Sequence, residues 1–470
     1  MKKVFKLSCF AIVLGLFGAC SSGTEKSTDS TTDTVVVKED FKKAEVLDEI
    51  IIKAKPAETY AVYLPSNYDV SKKYPVVITF DPHADGKLPV AKYKDLAEKY
   101  GYILVGSNVS KNGIPWNESS YIVNNLYTDV LERFAIDSQR IYLMGFSGGA
   151  RVANGATIIH GGIAGVICCG AAYPAINSKS PRNNYTYLGI VGLDDFNYSE
   201  MRKYDMIDLA GHNLKHGLLT FEGKHEWPPV DVMNEGFLYF EFQNMRKDMK
   251  TKNDALVNTY YQPQVALLDS LMTSKESYQA YQLCRKTINF YDGLVDLKPF
   301  YDAFKLLQTD NAVDKALQQE EQQLQDEERL KQEYTADFQT KDIAWWKKET
   351  MRIAQKSASK DATEKHKANR ILAYFSLVAY MQTGGALSQN NLPVAEKFSQ
   401  IYLIVDPTNS EAHYLNAVLK AKQNKSTEAI AALNKAIENG FIDKARLKND
   451  PAFDTLKTEK GFDELVAKLN

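Results

Sequence analysis

Arg140-Ile141-Tyr142-Leu143-Met144-Gly145-Phe146-Ser147-Gly148-Gly149-Ala150-Arg151-Val152-Ala153-Asn154 is the stretch whose reading decides the fold. Its first residues form an apolar run of the kind that fits a buried, pleated strand. Gly145 to Gly149 then forms a G-x-S-x-G turn, and Ala150 to Asn154 reads as the start of a helix. A serine between strand and helix sits on a tight, strained elbow with its hydroxyl exposed at the strand end. Glycines on either side leave backbone room that a Cβ would fill.

The same alternation continues on both sides of the elbow. From Val35 to about Val232, short apolar runs exchange with amphipathic stretches. The runs predict strands at Val46–Ile52, Thr59–Leu64, Val76–Phe80, Tyr102–Gly106, Ile141–Gly145, Gly165–Gly170, Tyr187–Gly192 and Leu218–Glu222. Helical spacing falls between several of them, at Val90–Lys99, Tyr121–Ala135 and Ala150–His160. This predicts an α/β fold with a mostly parallel sheet, opened by one or two antiparallel strands.

Beyond about Asn234 strand signals stop, and long Gln-, Lys-, Glu- and Leu-rich helical patterns run nearly to the end. The run Gln318 to Glu328 reads as a solvated helix face, since no heptad spacing holds there. Ala395 and Ala429 lie 34 residues apart, as do Phe398 with Ala432 and Leu403 with Ile437. Small alanines at Ala417, Ala429 and Ala436 let paired helices pack closely. This spacing resembles the tetratricopeptide pattern, though the aromatic and Leu-Gly pair usual in its first helix is not clear here. Two units are few for a freestanding array, so they are expected to stack on the preceding helices.

At 470 residues the chain exceeds one core and is expected to divide. A net charge of −2 offers no electrostatic ground for nucleic-acid binding. Met1 to Lys6 is basic, and Leu7 to Phe17 is apolar but too short to span a bilayer. Gly18-Ala19-Cys20 follows. The segment resembles a bacterial lipoprotein signal, which implies a lipid on Cys20 as the only anchor and a place in the cell envelope, periplasmic or outer-membrane. Ser21 to about Thr34, polar and nearly free of apolar residues, reads as a flexible tether. Cys168 and Cys169 are neighbours in a strand and point to opposite faces, so they are expected as separate buried thiols, as is Cys284. No metal-ligand spacing is present. The expected division is 1–19 signal peptide, 20–40 tether, 41–245 sheet-bearing region, 246–365 connecting helices, and 366–470 helical repeats with a terminal cap.

A serine hydroxyl needs a base, and the base an orienting carboxylate. Downstream of Ser147, the strand ending at Gly192 is followed by Leu193-Asp194-Asp195-Phe196, and the strand ending near Glu222 by Gly223-Lys224-His225-Glu226-Trp227. Both loops fall at the carboxyl ends of strands, in the order Ser, acid, His. Residues 40–245 therefore resemble the α/β-hydrolase superfamily, closest to its small esterase and prolyl-peptidase-like members. The resemblance implies catalytic Ser147, His225 and Asp195, the last matching the family's G-x-x-D spacing, with Asp194 as the alternative acid. The turn at His225 is similar to the histidine loop of feruloyl and acetyl esterases.

The resemblance further implies an oxyanion hole with Gly148 N–H as one donor. Asp81-Pro82-His83-Ala84 stands in place of the family's His-Gly-rich loop. Pro82 has no N–H, so His83 or Ala84 is expected as the second donor. An open site rimmed by Trp116, Tyr173, Phe196, Tyr198 and Trp227 suits a sugar- or aryl-linked ester. No cofactor is implied, and the helical repeats are expected to take a protein partner. Two other readings stay open: a membrane-anchored scaffold with a weak or inactive hydrolase domain, and a peptidase.

Overall fold

Among the described residues, eight strands pair into one sheet: β1 (Val46–Ile52), β2 (Lys55–Tyr63), β3 (Tyr74–Phe80), β4 (Ile103–Ser107), β5 (Ile136–Phe146), β6 (Ile163–Cys169), β7 (Thr186–Gly192) and β8 (Lys215–Phe221). The computed structural model describes residues 41–176, 185–212 and 214–469. The signal segment, the tether and Cys20 lie outside them. The spatial order is β1-β2-β4-β3-β5-β6-β7-β8. β1 with β2 and β2 with β4 run antiparallel, and every other neighbouring pair is parallel.

β3, β4, β6 and β7 are buried at every position, as a parallel sheet covered on both faces requires. Helices α1 (Lys87–Tyr100) and α5 (Val230–Lys247) share a core with one face. Helices α2 (Trp116–Arg133) and α3 (Gly148–Ile159) share a core with the other, where the short α4 (Tyr198–Lys203) also packs. Cys169 belongs to the first core and Cys168 to the second, so strand alternation sends adjacent thiols to opposite faces. Order, polarity and elbow are those of the α/β-hydrolase fold.

Several strands begin earlier than the apolar runs, β2 and β5 by the most. β2 starts at exposed Lys55 because a tight turn pairs Ile52 with Lys55, and backbone pairing carries it through a polar segment. β5 starts at Ile136, which pairs with Tyr74, so the strand includes polar Asp137 to Arg140. Neither extension carries an alternating pattern.

The register sets the functional edge. Phe80 pairs with Gly145, and Phe146 with Cys169, so the loops after β3, β5 and β6 emerge side by side. Gly192 pairs with Phe221, which aligns the loops carrying Asp195 and His225.

The rest of the described chain is helical: α6 (Asp254–Thr273), α7 (Ser277–Tyr291), α8 (Lys298–Leu307), α9 (Asn311–Thr340), α10 (Ile343–Ser357), α11 (Ala362–Ser388), α12 (Leu392–Val405), α13 (Ser410–Lys422), α14 (Ser426–Glu438), α15 (Lys444–Asn449) and α16 (Lys460–Lys468). Helices α6 to α8 extend the first core, through Tyr261, Cys284, Phe290 and Phe300. A third core, around Trp346, Phe375, Ala395 and Leu433, gathers α10 to α16. Helix α9 joins the two: Val313 sits in the first core and Tyr334 and Phe338 in the third.

The Gln318–Glu328 part of α9 is solvated along Gln318, Gln319, Glu321, Gln322, Gln325 and Glu328, as expected, but Glu327 within it is fully buried. Asn390 after α11 and Asn424 after α13 both take left-handed backbone (φ 55° and 61°). They lie 34 residues apart, the offset that relates Ala395 to Ala429. Asparagine tolerates that conformation, and here it closes the first helix of two successive pairs. No helix among the described residues is long and apolar enough to cross a membrane.

Candidate active site

Ser147 stands between β5 and α3 at φ 51° and ψ −121°, a region a non-glycine residue seldom occupies. Its flanking glycines are what admit that turn. A Cβ on Gly145 would lie 2.2 Å from Gly149 O, and one on Gly149 would lie 2.0 Å from Phe80 O. The Ser147 N–H donates to Cys169 O at 2.8 Å, which ties the elbow to the neighbouring strand.

Ser147 Oγ lies 2.9 Å from His225 Nε2. His225 Nδ1 in turn lies 2.9 Å from both carboxylate oxygens of Asp195. The imidazole is held between two rings, Phe196 at 4.1 Å and Phe146 at 4.6 Å between centroids. Phe146 is the first variable residue of the elbow motif, so the motif supplies a wall as well as the serine. Asp195 is 1% exposed, and its Oδ1 also accepts the Asn197 N–H at 2.8 Å. Gly170, after β6, closes the floor. A Cβ there would lie 3.0 Å from Asp195 Oδ2 and 3.1 Å from His225 Cε1, at a φ of +65° that already favours glycine.

Of the two adjacent aspartates, the structure brings Asp195 to the histidine and turns Asp194 away. Asp194 Oδ1 lies 2.6 Å from His366 Nδ1, and its Oδ2 accepts from Asn369 Nδ2 at 2.9 Å. His216, upstream of the loop, pairs with Asp205 at 2.8 Å instead of joining the site.

Gly148 lies at the first turn of α3, where unsatisfied N–H groups and the helix dipole favour negative charge. The expected second donors, by contrast, are both engaged. The His83 N–H donates to Asp81 Oδ1 at 2.8 Å, and the Ala84 N–H to Asp81 O at 3.3 Å. The physical cause is Asp81, whose buried carboxylate folds the loop back on itself.

A different group, unannounced by the sequence, stands at this place. The Asn112 carboxamide fills the space where a Gly148 Cβ would stand, with Oδ1 1.7 Å and Nδ2 3.6 Å from that position. Its backbone is fixed: Asn112 N–H donates to Pro82 O at 2.8 Å, and Lys111 bridges to His83. The Asn112-Gly113 dipeptide marks a turn and nothing more; only the approach of its loop to the elbow singles the asparagine out.

The Asp81 carboxyl also accepts the Trp227 indole N–H at 2.8 Å. Burial alone would raise it, but the His83 ring, the Trp227 indole and the His83 N–H outweigh burial and hold it below the ordinary 3.8. A depressed folded-state value stabilises the protein above the unfolded value and loses that contribution as pH falls. Asp81→Asn is therefore expected to cost about 2 kcal/mol at pH 7. The gap in Tm between variant and wild type is expected to narrow as the pH falls below about 3.8; a pH-independent gap would contradict this.

The aromatic rim is narrower than expected. Trp227 is 5% exposed, packs on Phe146 and is committed to Asp81. Tyr198 lies under the Arg370 guanidinium at 4.6 Å, and Tyr173 packs on Tyr204 while its hydroxyl bonds Asp208. Trp116 packs on α3, so close to Gly155 that a Cβ there would lie 2.8 Å from its ring. Phe196 stays at the histidine.

No family model matches the chain, and no curated protein matches it. Several solved structures are similar. A Pyrobaculum calidifontis esterase is 13% identical, over 45% of this chain and 88% of that one, with a TM-score of 0.35. Esterase B from Lactobacillus rhamnosis is 14% identical, over 44% and 88%, with a TM-score of 0.37. The ferulic acid esterase from the anaerobic fungus Anaeromyces mucronatus is 19% identical, over 42% and 88%, with a TM-score of 0.33. Similarities of this size say nothing of the chemistry, which is read from the geometry above.

Proposed function

We propose that this protein is a serine hydrolase acting on carboxylic esters. The observation that carries the reading is the unbroken chain of 2.9 Å contacts from Ser147 through His225 to buried Asp195. Ser147 Oγ attacks the ester carbonyl as its proton passes to His225 Nε2. Asp195 keeps Nδ1 protonated and the ring in place, and stabilises the imidazolium that forms. His225 then gives the proton to the departing alkoxide, leaving an acyl-serine. Water attacks that acyl group, His225 taking its proton, and the carboxylic acid leaves as the serine is restored.

The Gly148 N–H meets the developing oxyanion, and the Asn112 side-chain amide is the second donor. A half-turn of its carboxamide brings Nδ2 to the place Oδ1 now holds. Asn112→Ala is expected to lower kcat about 100- to 1000-fold with KM little changed. An unaltered kcat would remove Asn112 from the site. The Phe196 face beside His225 favours an alcohol or acyl group bearing an aryl or sugar ring.

The engaged N–H groups of His83 and Ala84 favour a second reading, a hydrolase fold kept for binding. Labelling with a fluorophosphonate decides between them. Wild type is expected to be labelled and Ser147→Ala not; a folded, unlabelled wild type establishes the binding protein. The location at the cell envelope rests on the Leu7–Cys20 signal and the lipid it implies on Cys20. Cys20→Ser is expected to leave the membrane fraction, and a variant that stays there contradicts the anchor.

A further inference from the structure

The loop that carries Asp195 is gripped by helices more than a hundred residues away. From α11, His366 and Asn369 hold the two oxygens of Asp194. Arg370 Nη1 donates to Leu193 O at 2.9 Å, and its guanidinium lies over Tyr198. From α9, Lys331 Nζ donates to Phe196 O at 2.7 Å and to Ser199 Oγ at 3.2 Å. Asp194, Asp195 and Phe196 are consecutive, so these contacts bracket the carboxylate and the ring that touch His225.

The gripping groups are themselves fixed. Glu327 is fully buried; Arg370 Nε donates to its Oε2 at 2.8 Å. Lys331 Nζ stands 2.9 Å from Glu327 Oε1 in an ion pair that lacks hydrogen-bond angles. Arg370 is 6% exposed and Lys331 8%. A buried cation is tolerated only where it is paired and hydrogen-bonded. Here the partners are the Glu327 and Glu328 carboxylates, the Ser199 hydroxyl and the carbonyls of the acid loop.

His366 reaches both loops of the site. Its Nε2 lies 3.7 Å from Glu222, three residues before His225. The two loops are also joined by backbone, Leu193 N–H to Phe221 O at 2.8 Å and Asp194 N–H to Gly223 O at 2.9 Å. The helical region thus meets the junction from which Asp195 and His225 both project.

We propose that His366, Asn369, Arg370 and Lys331 are positioning residues for the Asp195–His225 pair, and that α9 and α11 form a built-in clamp on it. The proposal rests on the hydrolase reading for its kinetic consequence, but the hydrogen bond it protects exists without turnover. Asp194 is the handle of the clamp: next to the acid in sequence, it receives the grip so that Asp195 is left to the histidine.

The test uses the full chain and the double variant His366→Ala/Asn369→Ala, with Lys331→Met as an independent second variant. Two quantities are read: kcat and KM on a soluble aryl ester, and the downfield proton resonance of His225 Nδ1–H in its bond to Asp195. Thermal unfolding checks that each variant is folded. The expected result is a kcat at least 10-fold lower, KM within about twofold, and a shifted or broadened resonance in both variants. Restoring a donor with His366→Gln on wild-type Asn369 is expected to recover most of the kcat. A folded double variant with unchanged kcat and resonance overturns the proposal. If wild type does not turn over but its resonance responds to the variants, the clamp stands and the hydrolase reading falls.

Discussion

Asp195→Asn is expected to lower kcat about ten-thousand-fold while the protein stays folded. The amide is nearly isosteric and keeps the Asn197 N–H bond through its oxygen. What it loses is the negative charge facing His225 Nδ1, and with it the tautomer that leaves Nε2 free to take the serine proton. The comparison that gives this result its force is Asp194→Asn. That residue bonds His366 and Asn369, not His225, so its loss acts through loop position. A decrease of about 10- to 100-fold is expected there. Steady-state kinetics on both variants checks the pair, and equal losses would contradict the assignment of the acid.

Glu327→Ala is expected to give the largest loss of stability. It strips the carboxylate from between Arg370 and Lys331, both nearly fully buried, and leaves Arg370 without its anion and Lys331 with only the exposed Glu328, 3.5 Å away. Breaking a buried pair in this way costs about 3–5 kcal/mol. The Glu327 carboxyl is held below its ordinary value despite burial, by the charges of Arg370 and Lys331 and by the Arg370 hydrogen bond, which is the same coupling seen from the anion's side. Urea unfolding measures the loss. The triple variant Glu327→Leu/Lys331→Met/Arg370→Met, which removes all three charges, is expected to regain most of the stability. If Glu327→Ala is as stable as wild type, the cluster is not a closed ion network.

Much of the sheet was legible because parallel strands covered on both faces read as continuous apolar runs. The largest early starts, at Lys55 and Ile136, are polar segments held by pairing alone, which no local pattern records. The site was legible where chemistry is tied to a strand end: Ser147 at β5, Asp195 at β7 and His225 at β8. It was not legible where distant segments meet. Nothing near Asp194 announces His366, 172 residues away. Within a Gln- and Glu-rich helix, Glu327 looks like its solvated neighbours until Arg370 is placed against it. His83 drew attention as a histidine in the right loop, yet Asp81, two residues earlier, had already taken its N–H. Asn112 sits in an Asn-Gly turn, which announces the turn but not its approach to Gly148.

Among the described residues, the placement of three free cysteines has a practical consequence. Cys169 and Cys284 lie in the core beneath α1 and α5, while Cys168 lies in the core on the opposite side of the sheet. Each is shielded from reagents until its own side opens. Timed alkylation followed by peptide mapping would then distinguish which half of the sandwich breathes first. The protein carries its own pair of opening gauges, one to a side and a single peptide bond apart.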